Sequence, residues 1–230
     1  MRADAVASCQ GELRTIPERV FCELREAIVE GRIAPGSKIS ESELAARYGI
    51  SRGPLREAIS RLAAVGLVER RPNVGARVIE LSQARLLDIY QVREALEGTA
   101  ARQAAQRMDG EAVARLRATL DEHESRMRQE GGQAYFQEAG DVDFHYQIIQ
   151  GSGNHYLVKL LCHDLYHLIR MYRCQFGMRS KRGPAALEEH RAIVAAIERR
   201  DADLAELLMR AHVRASRDNV ERMLSEIQIS

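Results

Sequence analysis

Four residues of this chain carry the chemistry of a metal-ligand set at helical spacing. Asp141 and His145 stand four apart and share a face with Phe144 and Ile148, in a stretch that reads as a helix over 133–150. His190 sits in the apolar series Leu187, Val194, Ile197, and His212 follows Leu208 by one turn and precedes Ala215. Buried singly, each of these groups needs its own polar partner, whereas one divalent ion satisfies all four. Three nitrogens and one oxygen suit Zn²⁺ or Ni²⁺, and Mn²⁺ where water completes an octahedron. Spacing alone leaves the other reading open, in which each histidine is a separately satisfied core residue. Arg93 interrupts a stripe of Leu86, Ile89, Leu96 and Ala100. A buried guanidinium needs an anion, either an internal carboxylate such as Glu97 or a carboxylate-bearing ligand. His163 and His167 are a further pair four apart, on a helix that also carries Arg170 and Tyr172. That pattern reads either as a solvated face or, for His167 and Arg170, as part of an effector pocket beside the ion.

A second chemistry lies upstream. Ser40-Glu41-Ser42-Glu43 has the spacing of a capping box, with Ile39 and Leu44 placed as a hydrophobic staple, and Gly49 stands where the short helix must stop. Ser51 opens the next helix, with Pro54 in its first turn, where a missing N–H costs little. Two helices joined so tightly form a helix-turn-helix. Leu55, Ala58, Ile59 and Leu62 take the inner face of the second helix, which leaves Arg52, Arg56 and Ser60 on the open side. Arginines at a helix N-terminus oppose the macrodipole, and phosphates or base acceptors supply the missing anion. Gly66 to Ile79 reads as two β runs around a Pro-Asn-x-Gly turn, a wing ending near Arg71 and Gly75. Arg47, Arg52, Arg56, Arg61, Arg70, Arg71 and Arg77 face only Glu57 and Glu69 in this stretch, although the whole chain carries a formal charge of just +1. Such concentration is the electrostatic footprint of a nucleic-acid surface.

These sites require two domains. Residues 1–14 read as a frayed terminus, 15–80 as the winged helix-turn-helix beginning with a helix over 16–31, and 81–230 as an all-α domain. Helices are predicted over 82–108, 110–130, 133–150, 154–177, 184–200 and 201–226, a six-helix bundle in a mainly α protein. The 230 residues, 45% hydrophobic and 29% charged, contain neither a signal-peptide core nor a membrane-length apolar run, which points to the cytoplasm and to no membrane partner. Cys9, Cys22, Cys162 and Cys174 form no C-x-x-C pair and are expected as free thiols.

Two resemblances rest on these residues. Gly31 to Ile79, with Leu44-Ala45-x-x-Tyr48-Gly49-Ile50-Ser51-Arg52-x-Pro54-Leu55-Arg56-Glu57-Ala58 and Arg71-Pro72-Asn73-x-Gly75, resembles the GntR family of bacterial transcription regulators. The resemblance implies that Arg52, Pro54, Arg56 and Gly75 lie at DNA, with Ser51 and Arg71 beside them. Ser42 and Val74 depart from the arginine and the basic residue that members often carry there. Asp141-x-x-Phe144-His145, Asn154, Glu189-His190-x-x-Ile193 and His212 resemble the FCD ligand-binding domain, in its six-helix VanR-like branch. That likeness implies a metal on Asp141, His145, His190 and His212, with Arg93 matching the arginine of the Arg-Glu-x-Leu-Glu pattern. The expectation is a homodimeric regulator, most simply a repressor, that binds a near-palindromic double-stranded operator and answers to a small organic acid held by the ion and by Arg93, His167 and Arg170. A sensor for the ion itself and a metalloenzyme on the same ligands are the rivals. No separate general base or nucleophile favours the enzyme.

Overall fold

The structure, a computed structural model, describes residues 15–71, 75–129, 143–177 and 182–229. The chain divides into two compact units, one of residues 1–82 with 163–175 and the other of residues 83–162 with 176–230.

In the first unit α1 (Ile16–Val29) begins at Thr15, whose backbone N–H and hydroxyl both donate to the Glu18 carboxylate, at 3.0 and 2.9 Å. Val20, Leu24 and Ile28 form its buried face, as the four-residue step predicts. Helix α2 (Glu41–Tyr48) is capped by Ser40, whose hydroxyl accepts from the Glu43 N–H, and it ends on Gly49 in the left-handed region at φ +61°. Helix α3 (Arg52–Ala64) follows, with Leu55, Ala58, Ile59 and Leu62 fully buried against α1. Each large aliphatic side chain so buried contributes about 1.5–3 kcal/mol, and this row fixes which face of α3 stays open. Strands β2 (Val68–Arg71) and β3 (Gly75–Val78) pair antiparallel from Val68↔Val78 to Arg71↔Gly75. The sequence predicts two β runs and the sheet has three. The additional β1 (Lys38–Ile39) pairs with β3 at Lys38↔Arg77 and Ile39↔Ala76, and a two-residue strand is too short to register a period of two. The expected turn residues Pro72 to Val74 lie outside the described residues.

In the second unit α4 (Gln83–Arg107) packs along α10 (Ala202–Ile229), α6 (Phe144–Gly151) and α9 (Gly183–Glu198), while α5 (Gly110–Gln129) packs on α6 and α9. Small buried residues on α4, Ala100, Ala101, Ala104 and Ala105, let its neighbours approach closely. The predicted stripe of α4 is out of phase at one position: Leu96 is half-buried, and Glu97 takes the interior. Its partner four residues earlier is Arg93, so the inner row buries an ion pair where an apolar side chain is expected.

The stretch predicted as one helix over 154–177 is segmented. It runs as α7 (His155–Leu157), a π-helical Val158–Asp164, α8 (Tyr166–Tyr172) and a π-helical Arg173–Gly177. Wider π turns shift the phase of everything after them, so α-helical spacing cannot predict which residues share a face beyond Val158. Of the helix predicted over 133–150, α6 is the described part, and Asp141 lies outside the described residues. Cys162 and Cys174 are free thiols, whereas Cys22 is disulfide-bonded, which corrects the expectation for that residue. Among the described residues no helix is long and apolar enough to cross a membrane.

Candidate metal site and DNA-contact face

His145 on α6, His190 on α9 and His212 on α10 converge within the second unit. All three are buried, and one potential ligand atom from each lies within 4.8 Å of the other two. The Nε2 atoms of His190 and His212 are 3.1 Å apart, and those of His212 and His145 are 3.3 Å apart. A tetrahedral ion with ~2.05 Å metal–nitrogen bonds separates its nitrogens by about 3.3 Å, so the spacing fits a shared cation. Phe144 stacks on the His190 ring at 3.9 Å and 20°, which limits its rotation. Asp143 caps α6 by accepting from the His145 N–H at 2.9 Å, fixing where the helix that presents His145 begins.

The outer nitrogens decide what the inner ones can do. Nδ1 of His145 lies 2.7 Å from Glu97 Oε2, and Nδ1 of His212 lies 2.6 Å from Glu189 Oε2. Burial alone would raise the Glu97 carboxyl, but Arg93 and His145 outweigh it and hold the group well below the usual carboxylate range. For Glu189, likewise, burial is outweighed by the bond to His212 and the charge of Arg182, leaving it lowered. Both glutamates are therefore acceptors, and each histidine donates from Nδ1. Burial is the main cause that brings His212 down to about 4, with Glu189 opposing and His145 adding to the fall. A neutral His212 donating from Nδ1 has a bare lone pair at Nε2. His145 in the same tautomer faces it lone pair to lone pair at 3.3 Å, an unfavourable contact that a cation between them would relieve.

Two chains of charge support this arrangement. Arg93 donates from Nε to Glu97 Oε1 at 2.6 Å, with both side chains almost fully buried. Arg182 donates from Nη2 to Glu189 Oε2 at 2.5 Å. Arg93 thus takes the internal-carboxylate alternative and stands behind His145. In sequence Glu189 stands out only as the residue before His190. Its signal is the Glu-His dipeptide itself, because adjacent helical residues diverge by about 100° and one can be ligand while the other braces a neighbour.

His167 and Arg170 are not brought to this cluster. Both lie in the first unit, on α8, where Arg170 donates from Nη1 to Glu26 Oε2 on α1 at 2.6 Å. His167 is 1% exposed, so the solvated-face reading fails for it, while His163 in the π-helical stretch is half-buried.

On the first unit α3 and the wing form one face. Arg52 and Arg56 are exposed, as the apolar row demands, and Ser51 holds the extended N-cap conformation with Pro54 in the first turn. Arg56 donates from Nε to Glu41 Oε2 at 2.8 Å, and Arg70 donates to the Arg56 carbonyl at 3.1 Å. In sequence Glu41 reads as a capping residue only; in the structure it also pairs with the Arg56 guanidinium. Gly75 has φ +94°, a backbone conformation that favours glycine, with open space around the position of a Cβ. Arg71 pairs with Gly75 in the β2–β3 ladder. Lys38, Ser40, Ser42, Arg52 and Gly75 line one shallow groove between α3 and the wing.

Residues 16–78 match the bacterial regulatory proteins of the gntR family, and residues 88–215 match the FCD domain. The chain is 32% identical over 213 residues, 91% of it and 87% of the relative, to an HTH-type transcriptional regulator in an unstable DNA locus of Streptomyces ambofaciens. It is 33% identical over 191 residues, 82% of it and 81% of the relative, to a probable D-xylose utilization operon transcriptional repressor of Paenarthrobacter nicotinovorans. The Escherichia coli repressor GlaR is 32% identical over 200 residues, 83% of this chain and 89% of that one. Among solved structures, Escherichia coli McbR/YncC superposes with a TM-score of 0.71 at 19% identity, over 94% of this chain and 100% of that one, a likeness of fold.

Proposed function

This chain belongs to the gntR family of bacterial regulatory proteins and carries an FCD domain, and from that premise we propose a homodimeric repressor whose operator binding answers to a small carboxylate at a metal site on His145, His190 and His212. The observation that carries the metal is the pair of carboxylates, Glu97 and Glu189, that turn the Nε2 lone pairs of His145 and His212 inward at 3.3 Å. Three imidazoles at that spacing suit Zn²⁺ or Ni²⁺, with Mn²⁺ accommodated where more oxygen ligands join. Asp141 is the fourth ligand in this reading. A divalent ion supplies a positive centre that an acid's carboxylate can join. The buried Arg93–Glu97 pair keeps His145 oriented, so Arg93 supports the site from behind.

Repression fits the relatives known as repressors, and Arg52, Arg56 and the wing at Gly75 supply the contacts. Two copies on a near-palindromic operator present two α3 helices, which multiplies the affinity of each. Protein purified without chelator should hold close to one divalent ion per chain, and His145→Ala, His190→Ala or His212→Ala should each lose it. Elemental analysis with gel shifts in the presence of carboxylic acids tests both halves. Wild-type protein that neither carries nor takes up a divalent ion overturns the metal reading. Operator binding that follows the metal and ignores every acid makes the ion the signal.

A further inference from the structure

The first unit holds a second polar cluster, independent of the histidine triad. Helix α1 contributes Arg25 and Glu26, and α8 contributes His167 and Arg170; Arg25, His167 and Arg170 are each more than nine-tenths buried. Both oxygens of Glu26 are committed: Oε1 accepts from Nε and Nη2 of Arg25 at 3.0 and 2.9 Å, and Oε2 accepts from Nη1 of Arg170 at 2.6 Å. What Glu26 cannot reach is left over. Both ring nitrogens of His167 and Nε of Arg170 are buried with no hydrogen-bond partner. Three residues apart on α8, these side chains share a face, and the Tyr166 ring meets the imidazole edge-on at 5.3 Å.

We propose that His167 and Arg170 form a binding site for a small oxyanion that carries a protonated oxygen of its own, a hydrogen phosphate or a 2-hydroxycarboxylate. The complement follows from the atoms. Arg170 Nε only donates, and a neutral imidazole donates from one nitrogen and accepts at the other. An occupant must offer at least two acceptor oxygens and one O–H. Burial first, then Arg25, Arg170 and His163, hold the imidazole neutral, and of these the neighbouring guanidinium charges are what favour an anion there. The position has consequence for DNA reading. The Phe21 ring of α1 lies under the guanidinium carbons of Arg25 and of Arg61 on α3, at 5.6 and 4.4 Å, so one side chain separates the cluster from the DNA-reading helix.

Calorimetric titration of the full chain with inorganic phosphate and, separately, with glycolate tests the site, with sulfate and acetate as anions lacking the hydroxyl. The same titrations on His145→Ala separate this site from the triad, because binding here survives that change. The expected result is saturable binding of phosphate or glycolate, with the hydroxyl-free anions weaker by about tenfold or more, the loss set by one unmet buried group. Whichever of the two binds identifies the source. His167→Phe should abolish binding and His167→Gln, which keeps a donor and an acceptor, should retain it. Binding unchanged in His167→Phe, equal affinity for sulfate, or no saturation by either probe overturns the proposal and leaves His167 a core histidine. None of those outcomes bears on the metal reading.

Discussion

Glu97→Gln separates the two jobs that one buried carboxylate performs. The substitution keeps the shape and removes the charge. The amide so introduced has one oxygen, which can accept from Arg93 Nε or from His145 Nδ1 but not from both, where Glu97 accepts from each at 2.6 and 2.7 Å. Turned one way, its NH₂ faces Arg93 Nε, which only donates; turned the other, it faces His145 Nδ1 and drives the imidazole proton to Nε2, where a metal would bind. Removing one partner of a buried ion pair costs about 3–5 kcal/mol, and the surviving hydrogen bond places this case near 3. For a protein of this size that corresponds to a fall of roughly 6–12 °C in Tm. Loss of the carboxylate behind a coordinating histidine should weaken metal affinity about 10–100-fold. Adding Arg93→Met removes the stranded guanidinium, so the double variant should regain most of the melting temperature while its metal affinity stays low. Thermal melting with and without Zn²⁺, together with competitive metal titration, reads both quantities. A single variant that melts with the wild type and binds metal as tightly refutes the relay from Arg93 through Glu97 to His145.

Two further outcomes test the DNA-reading half. Arg52→Ala or Arg56→Ala should weaken operator binding by roughly 1–3 kcal/mol at fixed salt, with the melting temperature held, since both side chains are exposed; unchanged gel-shift affinity in both places the DNA elsewhere. Gly49→Ala forces an L side chain into φ +61° and should cost about 1–2 kcal/mol although nothing stands within 4 Å of the new Cβ. Equal chemical denaturation midpoints for that variant and the wild type would show that the turn between α2 and α3 relaxes freely.

What the sequence made legible was periodic and apolar. The row Leu55, Ala58, Ile59, Leu62 sorts α3 into faces, and capping residues with Gly49 locate both ends of the turn, because each signal is local. The histidines were legible for the same reason in reverse, as polar residues at apolar positions. Periodicity fails where the interior is charged. The stripe through α4 reads best with Leu96 inside, yet the interior position goes to Glu97, since Arg93 is already buried one turn earlier and needs a carboxylate more than the core needs a leucine. Glu189 is hidden for a related reason: a half-buried carboxylate bracing a histidine from the side has no spacing that distinguishes it from a surface glutamate. His167 shows the third failure. Two π-helical stretches flank α8, so the i, i+4 relation to His163 that suggests a shared wet face does not hold. These misreadings have one physical root. Hydrophobic pattern reports where water is excluded, and charged side chains enter that space only with partners supplied by other helices, at separations no local pattern records. The residues that do so here, Arg93, Glu97, Glu189 and His167, are therefore those whose roles only the packed helices can assign, and they brace or adjoin the positions where a ligand is proposed.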